Sequence, residues 1–309
     1  MVSRRSFLNT AIGAGAALAA PGPRRAAAQV DRRMIVDAQV HLWKAETEDW
    51  KWVPGLQPQL PEPFTIERLV PMMDEAGVDR VVIVPPSWPG DRNDYALEAA
   101  RRYPGRFHIM GKLPLQDPKG AALLPKWREQ PGMAGLRVIF NTPQTLPHLT
   151  DGSMDWFWAA AEKAELPVMC FAPGQAPALA RVAERYPGLT MILDHMAVTG
   201  AMVRDGTIAE AIGQTAGLAK YQNVSVKLSA SPGLSRQPYP YRDVAPYIQR
   251  VFEAFGPQRS YWGTDLTNTY ARGSYRQRIT HFTEELKFLS EEDKEWVMGR
   301  AILERLKWK

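Results

Sequence analysis

Two polar residues near the start of the chain, Gln39 and His41, stand two positions apart at the end of an apolar run. The run from Met34 to Val40 alternates with period two, which predicts a buried strand. Alternate residues of a strand share a face, so both side chains should point to one place. Asp-x-His-x-His here would aim two imidazoles at one metal ion, but the amide of Gln39 replaces the first imidazole. An amide oxygen is a poor substitute for an imidazole nitrogen on zinc, so the spacing predicts a site with altered metal chemistry.

The elements that must position these residues form a repeating pattern of one short apolar run followed by one helical stretch. Eight strands are predicted, at Met34–His41, Arg80–Val84, Phe107–Lys112, Gly135–Phe140, Val168–Phe171, Thr190–His195, Val224–Leu228 and Ser260–Asp265. The helices between them are predicted at Ile66–Ala76, Tyr95–Tyr103, Gly120–Glu129, Met154–Ala164, Ala176–Tyr186, Thr207–Lys220, Arg242–Phe255 and Arg272–Leu289. Strand–helix alternation in eight units predicts an α/β fold, a single (β/α)8 TIM barrel. An extra C-terminal helix, Glu291–Leu306, follows, with Ser290 as its N-cap.

An open, doubly wound sheet is the alternative to a closed barrel. It is disfavoured because no Gly-x-Gly-x-x-Gly motif follows any predicted strand. In a barrel the chemistry lies at the carboxyl ends of the strands. The polar residues predicted there are Gln39 and His41, Ser87, Lys112, Arg137, Asp194 and His195, Lys227 and Ser229, and Asp265.

The first 28 residues read as an export signal rather than as part of the fold. Arg4 and Arg5 precede an apolar stretch from Ala11 to Ala20, and three alanines end the segment, the order of a twin-arginine signal. The stretch is too short for a membrane span of roughly 20 residues, so no stable membrane anchor is expected. We therefore expect residues 29–309 to form the barrel. The twin-arginine export machinery is the predicted partner, and the periplasm or the exterior is the predicted location.

Charge and cysteine usage exclude several classes of function. The chain has 38 Lys and Arg against 33 Asp and Glu, a net charge of +5. Four of the arginines and none of the acids lie in residues 1–28, which leaves 34 minus 33, or +1, for the rest. A near-neutral body gives no support for nucleic-acid binding. The single cysteine, Cys170, excludes an intrachain disulfide.

Five segments at the predicted strand ends resemble the amidohydrolase superfamily, and more closely its amidohydrolase-related branch of lactonases, pyrone-dicarboxylate hydrolases and decarboxylases. The segments are Asp37-Ala38-Gln39-Val40-His41-Leu42-Trp43, Gly135-Leu136-Arg137, Leu193-Asp194-His195-Met196, Val226-Lys227-Leu228-Ser229 and Trp262-Gly263-Thr264-Asp265. They run in order from the first strand to the last, so the resemblance covers nearly all of residues 29–309.

The resemblance implies roles for the matching residues. Asp265 would be the general base that takes a proton from the attacking water, and His41 and His195 would polarise the substrate carbonyl, helped by the amide of Gln39. Gln39 and Phe171 stand where histidine ligands are common in the family, so a hydrolase that works without a metal is favoured and no cofactor is expected. The alternative is one divalent ion, zinc or manganese, held by His41, His195 and Asp265.

The expected substrate is a small carboxylated lactone or ester, an acidic cyclic molecule. Arg137 and Lys227 would hold its carboxylate, or would pair instead with an acidic side chain inside the barrel mouth. Aromatic residues of the loops predict a pocket for a flat or cyclic, partly apolar ligand. The loop residues assigned to this pocket are Trp43, Ser87, Trp88 and Tyr239.

Two other functions remain open on the same barrel. One is a metal-dependent amidohydrolase or a non-oxidative decarboxylase, and the other is a non-catalytic periplasmic ligand-binding protein. The remaining histidines, His108, His148 and His281, are expected to be structural or surface residues, and Cys170 a small buried one. A homo-oligomer is a further possibility for this type of barrel.

Overall fold

Eight parallel strands, paired in chain order from β1 to β8, form the sheet of the computed structural model, which describes residues 32–309. The strands are β1 Val36–Val40, β2 Arg80–Ile83, β3 Phe107–Gly111, β4 Met133–Ile139, β5 Val168–Phe171, β6 Met191–Leu193, β7 Val224–Lys227 and β8 Ser260–Tyr261. The predicted TIM barrel is confirmed.

The predicted export signal lies outside the described residues, and none of the helices in residues 32–309 is both long and apolar enough to cross a membrane.

The barrel closes where β1 meets the segment that follows β8. Two backbone hydrogen bonds join them, from the amide of Ala38 to the carbonyl of Trp262 (3.2 Å) and from the amide of Asp265 to the carbonyl of Gln39 (3.0 Å). Gly263 lies between them, and a Cβ atom there would be 3.2 Å from the Gln39 nitrogen, a tight contact that favours glycine. β8 is Ser260–Tyr261, much shorter than the predicted Ser260–Asp265, and the residues after it are joined to β1 by these two bonds rather than by a regular ladder.

Buried Asp37 stabilises this closure through its side chain. Its carboxylate accepts hydrogen bonds from the backbone amides of Gln39 (3.0 Å) and Thr264 (2.8 Å), from the Thr264 hydroxyl and from the Tyr275 hydroxyl (2.8 Å). Burial raises the pKa of Asp37 in spite of these four donors. Asp37 therefore links β1, the segment after β8 and the helix that contains Tyr275, and it is a structural residue.

The strands separate two apolar clusters. The inner cluster fills the barrel and contains Val36, Ala38, Val82, Val84, Met110, Ala134, Met169, Ile192 and Tyr261. The outer cluster packs the opposite strand faces, including Val81, Ile83, Leu136 and Leu193, against the surrounding helices. Such alternation is the expected result of the two-residue repeat of a strand.

Helices fill the outer layer, and several differ from the predicted bounds. They are α1 Ile66–Ala76, α2 Asp94–Arg102, α3 Asp155–Lys163, α4 Ala176–Arg185, α5 Gly200–Arg204, α6 Ile208–Gly217, α7 Ser231–Leu234, α8 Ala245–Phe255, α9 Tyr275–Thr280, α10 Glu291–Glu295 and α11 Ala301–Arg305. The segment Pro118–Glu129 is a 3₁₀ helix rather than the predicted α-helix, and Pro125 inside it removes a backbone donor that a regular α-helix would use. The predicted helix Arg272–Leu289 begins later, at the Ser274–Gln277 capping box, and ends in a π-helical turn, His281–Glu285.

The predicted extra C-terminal helix is present and is built from α10, a π-helical turn at Trp296–Arg300, and α11. It begins at Ser290 as predicted, in a capping box with Asp293. Residues of α11 belong to the inner cluster, and Trp308 stacks on His108 with 3.8 Å between ring centroids. This helix therefore closes the barrel at the end where β1 starts and leaves the carboxyl ends of the strands to the loops.

Candidate active site

His41, His195 and Asp265 meet at the carboxyl ends of three strands, as the sequence predicts. The Nε2 atom of His41 lies 3.2 Å from Oδ1 of Asp265, and Nε2 of His195 lies 3.6 Å from its Oδ2. All three side chains are buried, with exposed fractions of 5%, 6% and 1%. One carboxylate thus faces two imidazoles, one at each oxygen.

A shift in the alternation of side chains along β1 directs Gln39 and His41 toward His195 and Asp265. Val36 and Ala38 point into the barrel, yet Gln39 also reaches the buried Lys227 inside it. The alternation therefore shifts after Ala38, where the pairing of β1 with β2 also changes register. Such bulges commonly redirect side chains next to active sites.

Two of the three residues have unusual backbone conformations. His195 and Asp265 both have positive φ, 53° and 49°, in the left-handed region that non-glycine residues rarely adopt. His195 lies two residues beyond β6 and Asp265 four residues beyond β8, where the chain turns and directs each side chain inward. Backbone strain of this kind, about 1–3 kcal/mol per residue, persists where the surrounding structure imposes it, often at functional sites.

The environment of Asp265 favours its ionised form. Burial alone would raise the pKa of Asp265, but His195, His41 and the Asn268 amide outweigh it, and the pKa lies below its usual range. The Nδ2 atom of Asn268 donates to Oδ2 at 2.9 Å. Asp265 is therefore a carboxylate at neutral pH.

The Nδ1 atom of each imidazole, which points away from Asp265, has a hydrogen-bond partner that fixes the orientation of the ring. Nδ1 of His41 lies 2.6 Å from the carbonyl oxygen of Val84, which can only accept, so Nδ1 carries a proton. Nδ1 of His195 lies 2.8 Å from the hydroxyl of Ser229. Burial lowers the pKa of His195 although Asp265 and Asp194 oppose it, so this ring is neutral at pH 7. A neutral ring facing a carboxylate is best placed with its proton on Nε2 and with Nδ1 accepting from Ser229.

A second buried group of charges lies beside the three residues. Lys227 Nζ is 2.5 Å from Oδ1 of Asp194 and also binds Oε1 of Gln39. Arg137 Nε is 3.0 Å from Oδ2 of the same carboxylate. Burial would raise the pKa of Asp194, but Lys227 and Arg137 lower it to about 2. The sequence left open whether Arg137 and Lys227 hold a substrate carboxylate or an acidic side chain, and the structure pairs both with Asp194.

The predicted loop residues occupy different places. Trp43 and Trp88 are buried and pack edge to face, 4.9 Å apart. Ser87 is half-buried in the turn before Trp88, its carbonyl accepting from Gly90. Tyr239 bonds through its hydroxyl to Thr280 on α9, at 2.8 Å. Trp43 and Trp88 thus pack the loops onto the barrel, and Tyr239 is held against α9.

Asp194 and Ser229, which the sequence places at strand ends without a role, both contact the site, and so does Asn268, which the sequence does not single out. Asp194 directly precedes His195, and Ser229 follows Lys227 by two positions, so strand periodicity could have assigned both to the site. Asn268 could have been found from its position three residues after Asp265, where a polar side chain often bonds back within a turn.

A zinc ion could use two imidazoles and one carboxylate in principle. However, within residues 32–309 no group of three or more His, Cys, Asp or Glu side chains is disposed to hold a metal ion. The additional oxygen atoms beside the site, Oε1 of Gln39 and Oδ1 of Asp194, are both bound by the ammonium of Lys227. The residues present therefore do not fit a divalent ion.

An eight-stranded parallel barrel with imidazoles and an aspartate at its strand ends is the arrangement of a barrel hydrolase. The chain belongs to the amidohydrolase family, whose sequence model matches residues 36–303. It is an enzyme of that family, a hydrolase.

Relatives of known activity act on lactones. The chain is 28% identical over 243 residues to an L-fucono-1,5-lactonase from Burkholderia ambifaria, covering 74% of this chain and 79% of the relative. It is 27% identical over 211 residues to a 4-sulfomuconolactone hydrolase from Hydrogenophaga intermedia, covering 66% of each. A solved amidohydrolase from Burkholderia multivorans with bound zinc has the same fold, with a TM-score of 0.76 and 18% identity over 89% of this chain and all of that one.

Proposed function

We propose that this protein opens small lactones by hydrolysis without a metal ion, with Asp265 as the general base. The observation that carries the proposal is the position of the Asp265 carboxylate between Nε2 of His41 and Nε2 of His195, at 3.2 and 3.6 Å. A base must already be ionised and held near the reacting water. The lowered pKa of Asp265 and its bond from Asn268 meet both requirements.

The proposed reaction begins when a water molecule attacks the lactone carbonyl. Asp265 takes one proton from this water as the new carbon–oxygen bond forms, and the carbonyl electrons move to the oxygen. When the tetrahedral intermediate collapses, the ring carbon–oxygen bond breaks, and the proton held by Asp265 passes to the leaving alkoxide. Asp265 is ionised again once its proton has passed to the alkoxide, and the product is a hydroxy acid whose new carboxyl group then loses its own proton to solvent.

His41 and His195 would contribute unequally to stabilising the negatively charged oxygen of the tetrahedral intermediate. His195, with its proton on Nε2, can donate a hydrogen bond while neutral. His41 already carries its proton on Nδ1, so its Nε2 can donate only when the ring is protonated. A preset donor in such a site contributes about 2.7–4 kcal/mol to catalysis. His195 is therefore the principal donor in this proposal.

The substrate proposal is a small lactone, and the buried charges bear on whether it is acidic. Arg137 and Lys227 both pair with Asp194, and the nearby Asp265 balances the remaining positive charge, so little free positive charge is left for a substrate carboxylate. This arrangement favours a neutral, hydroxylated lactone over the carboxylated one. The lactonase relative from Burkholderia ambifaria is consistent with that preference.

A panel of hydroxylated and carboxylated lactones, assayed with and without a chelator, tests the proposal. Metal content is measured on the same protein by mass spectrometry. We expect ring opening that chelators do not reduce, with far less than one metal per chain. One tightly bound equivalent of zinc or manganese, lost together with activity, would contradict it. Hydrolysis in oxygen-18 water places the label in the product carboxylate, whereas a decarboxylase would release carbon dioxide without this incorporation.

A further inference from the structure

Lys227 is completely buried, yet the proposed reaction gives its ammonium group no direct part. Its Nζ binds Oε1 of Gln39 and Oδ1 of Asp194, and lies 3.1 Å from the sulfur of Met169. We propose that this ammonium takes the place of a metal ion in the barrel. It binds the oxygens of Gln39 and Asp194, orients the Gln39 amide toward His41, and keeps divalent ions away from the strand ends. This inference rests on the proposed metal-independent function and assigns Lys227 as a positioning residue.

The orientation of the Gln39 amide follows from its two neighbours. An ammonium group can only donate, so the amide atom that meets Lys227 is the oxygen. The amide nitrogen then points to Nε2 of His41, 3.4 Å away. Nδ1 of His41 carries a proton, so in the neutral form of the ring Nε2 can accept from the Gln39 amide. Lys227 thus sets the direction of one donor next to the reacting atoms.

The balance of buried charge also disfavours an additional cation. Arg137 and Lys227 contribute two positive charges, and Asp194 and Asp265 contribute two negative ones, so the cluster is neutral while both histidines are neutral. A divalent ion would add two uncompensated positive charges in a buried region, where charge is costly. Removal of the Lys227 charge would leave the cluster with one net negative charge and would free Oδ1 of Asp194.

The test compares metal binding by two variants. Gln39→His restores an Asp-x-His-x-His sequence but retains Lys227, and Gln39→His combined with Lys227→Met also removes the ammonium. Each purified protein is stripped with chelating resin, incubated with equimolar Zn²⁺ and desalted, and its zinc content is then measured by mass spectrometry. Co²⁺ loading gives an absorption spectrum as a second readout. We expect roughly one equivalent in the double variant and less than about one tenth in Gln39→His and in the natural protein.

Two controls separate loss of the charge from general disruption. Adding Asp194→Asn to the double variant restores neutrality, and zinc retention should fall roughly tenfold or more. Lys112→Met, in Gln39→His protein, removes another buried lysine whose Nζ binds the carbonyls of Pro86 and Gly90, and should leave zinc content low. Circular dichroism and thermal melting establish that each variant is folded.

The outcomes decide the inference independently of the enzymatic proposal. One equivalent of zinc in Gln39→His with Lys227 still present overturns it, and so does a folded double variant that binds none. If the double variant does not fold, Gln39→His alone decides: absence of zinc supports the role of Lys227, and a bound equivalent contradicts it. Failure of the natural protein to open any lactone would refute the proposed function but leave this comparison of metal contents intact.

Discussion

His195 and Asp265 are both held in the left-handed backbone region, and their side chains meet with 3.6 Å between Nε2 and Oδ2. Neither residue is glycine, so each conformation costs free energy that the surrounding structure must supply. Hydrogen bonds beside both turns do so: Thr215 donates to the carbonyl of Met196 at 2.9 Å, and the amide of Asp265 donates to Gln39 at 3.0 Å. The strand ends thus hold a carboxylate and an imidazole in a fixed relation.

Ser229→Ala should lower kcat by about 10-fold with little change in KM, because the 2.8 Å partner that fixes the His195 ring is lost. Steady-state kinetics on a lactone substrate measure both constants. Ser225→Ala is a matched control four residues earlier, in β7, since the Ser225 hydroxyl donates to the carbonyl of Met191, at 3.0 Å, and does not hold the His195 ring. An equal loss of kcat in both variants would show that the Ser229 hydroxyl stabilises the backbone around β7 and does not act by fixing the His195 ring.

Tyr275→Phe should destabilise the fold by about 1.5–3 kcal/mol, because it removes a donor to the buried carboxylate of Asp37. Urea unfolding measures the change. Tyr186→Phe is the comparison, since the Tyr186 hydroxyl makes a longer bond (3.4 Å) to the carbonyl of Asp155 at a more exposed place. It should cost well under half as much. A loss of the same size at both positions would contradict the role of Asp37 in barrel closure.

Acidification should destabilise the protein through buried His281. Burial lowers the pKa of His281 from 6.5 to about 4, so between these values the unfolded chain binds a proton that the folded chain does not. Stability therefore falls as pH falls through this range, by up to about 3 kcal/mol from this residue. In His281→Phe, urea unfolding at pH 7 and pH 4.5 should show a smaller loss. His148→Gln, at an exposed position, should keep the loss of the natural protein.

The barrel could be predicted because its signals are local. Short apolar runs alternate with helical stretches, and Ser290 with three acidic residues after it defines the start of the last helix. The bounds that were wrong depend on long-range contacts. β8 ends early where the segment after Tyr261 bonds irregularly to β1, and the last helix forms a π-helical turn where Gly299 packs against the carbonyl of Met34.

The convergence of His41, His195 and Asp265 also followed from the sequence, because the carboxyl ends of all strands of a barrel lie on one side. The pairing of Arg137 and Lys227 with Asp194 could not be chosen in advance. A buried lysine has similar sequence surroundings whether its partner is a substrate or an aspartate. Only the distances of 2.5 and 3.0 Å to the same carboxylate distinguish the two.

The most direct test of the central claim is the rate of lactone opening by Asp265→Asn, measured on chelator-treated protein. The amide keeps the size of the carboxylate but cannot take a proton from water, so we predict that kcat falls by about 10²–10⁴-fold. Asp205→Asn, at an exposed position, should retain the natural rate. A folded Asp265→Asn protein that opens the lactone as fast as the natural protein would contradict the assignment of Asp265 as the base.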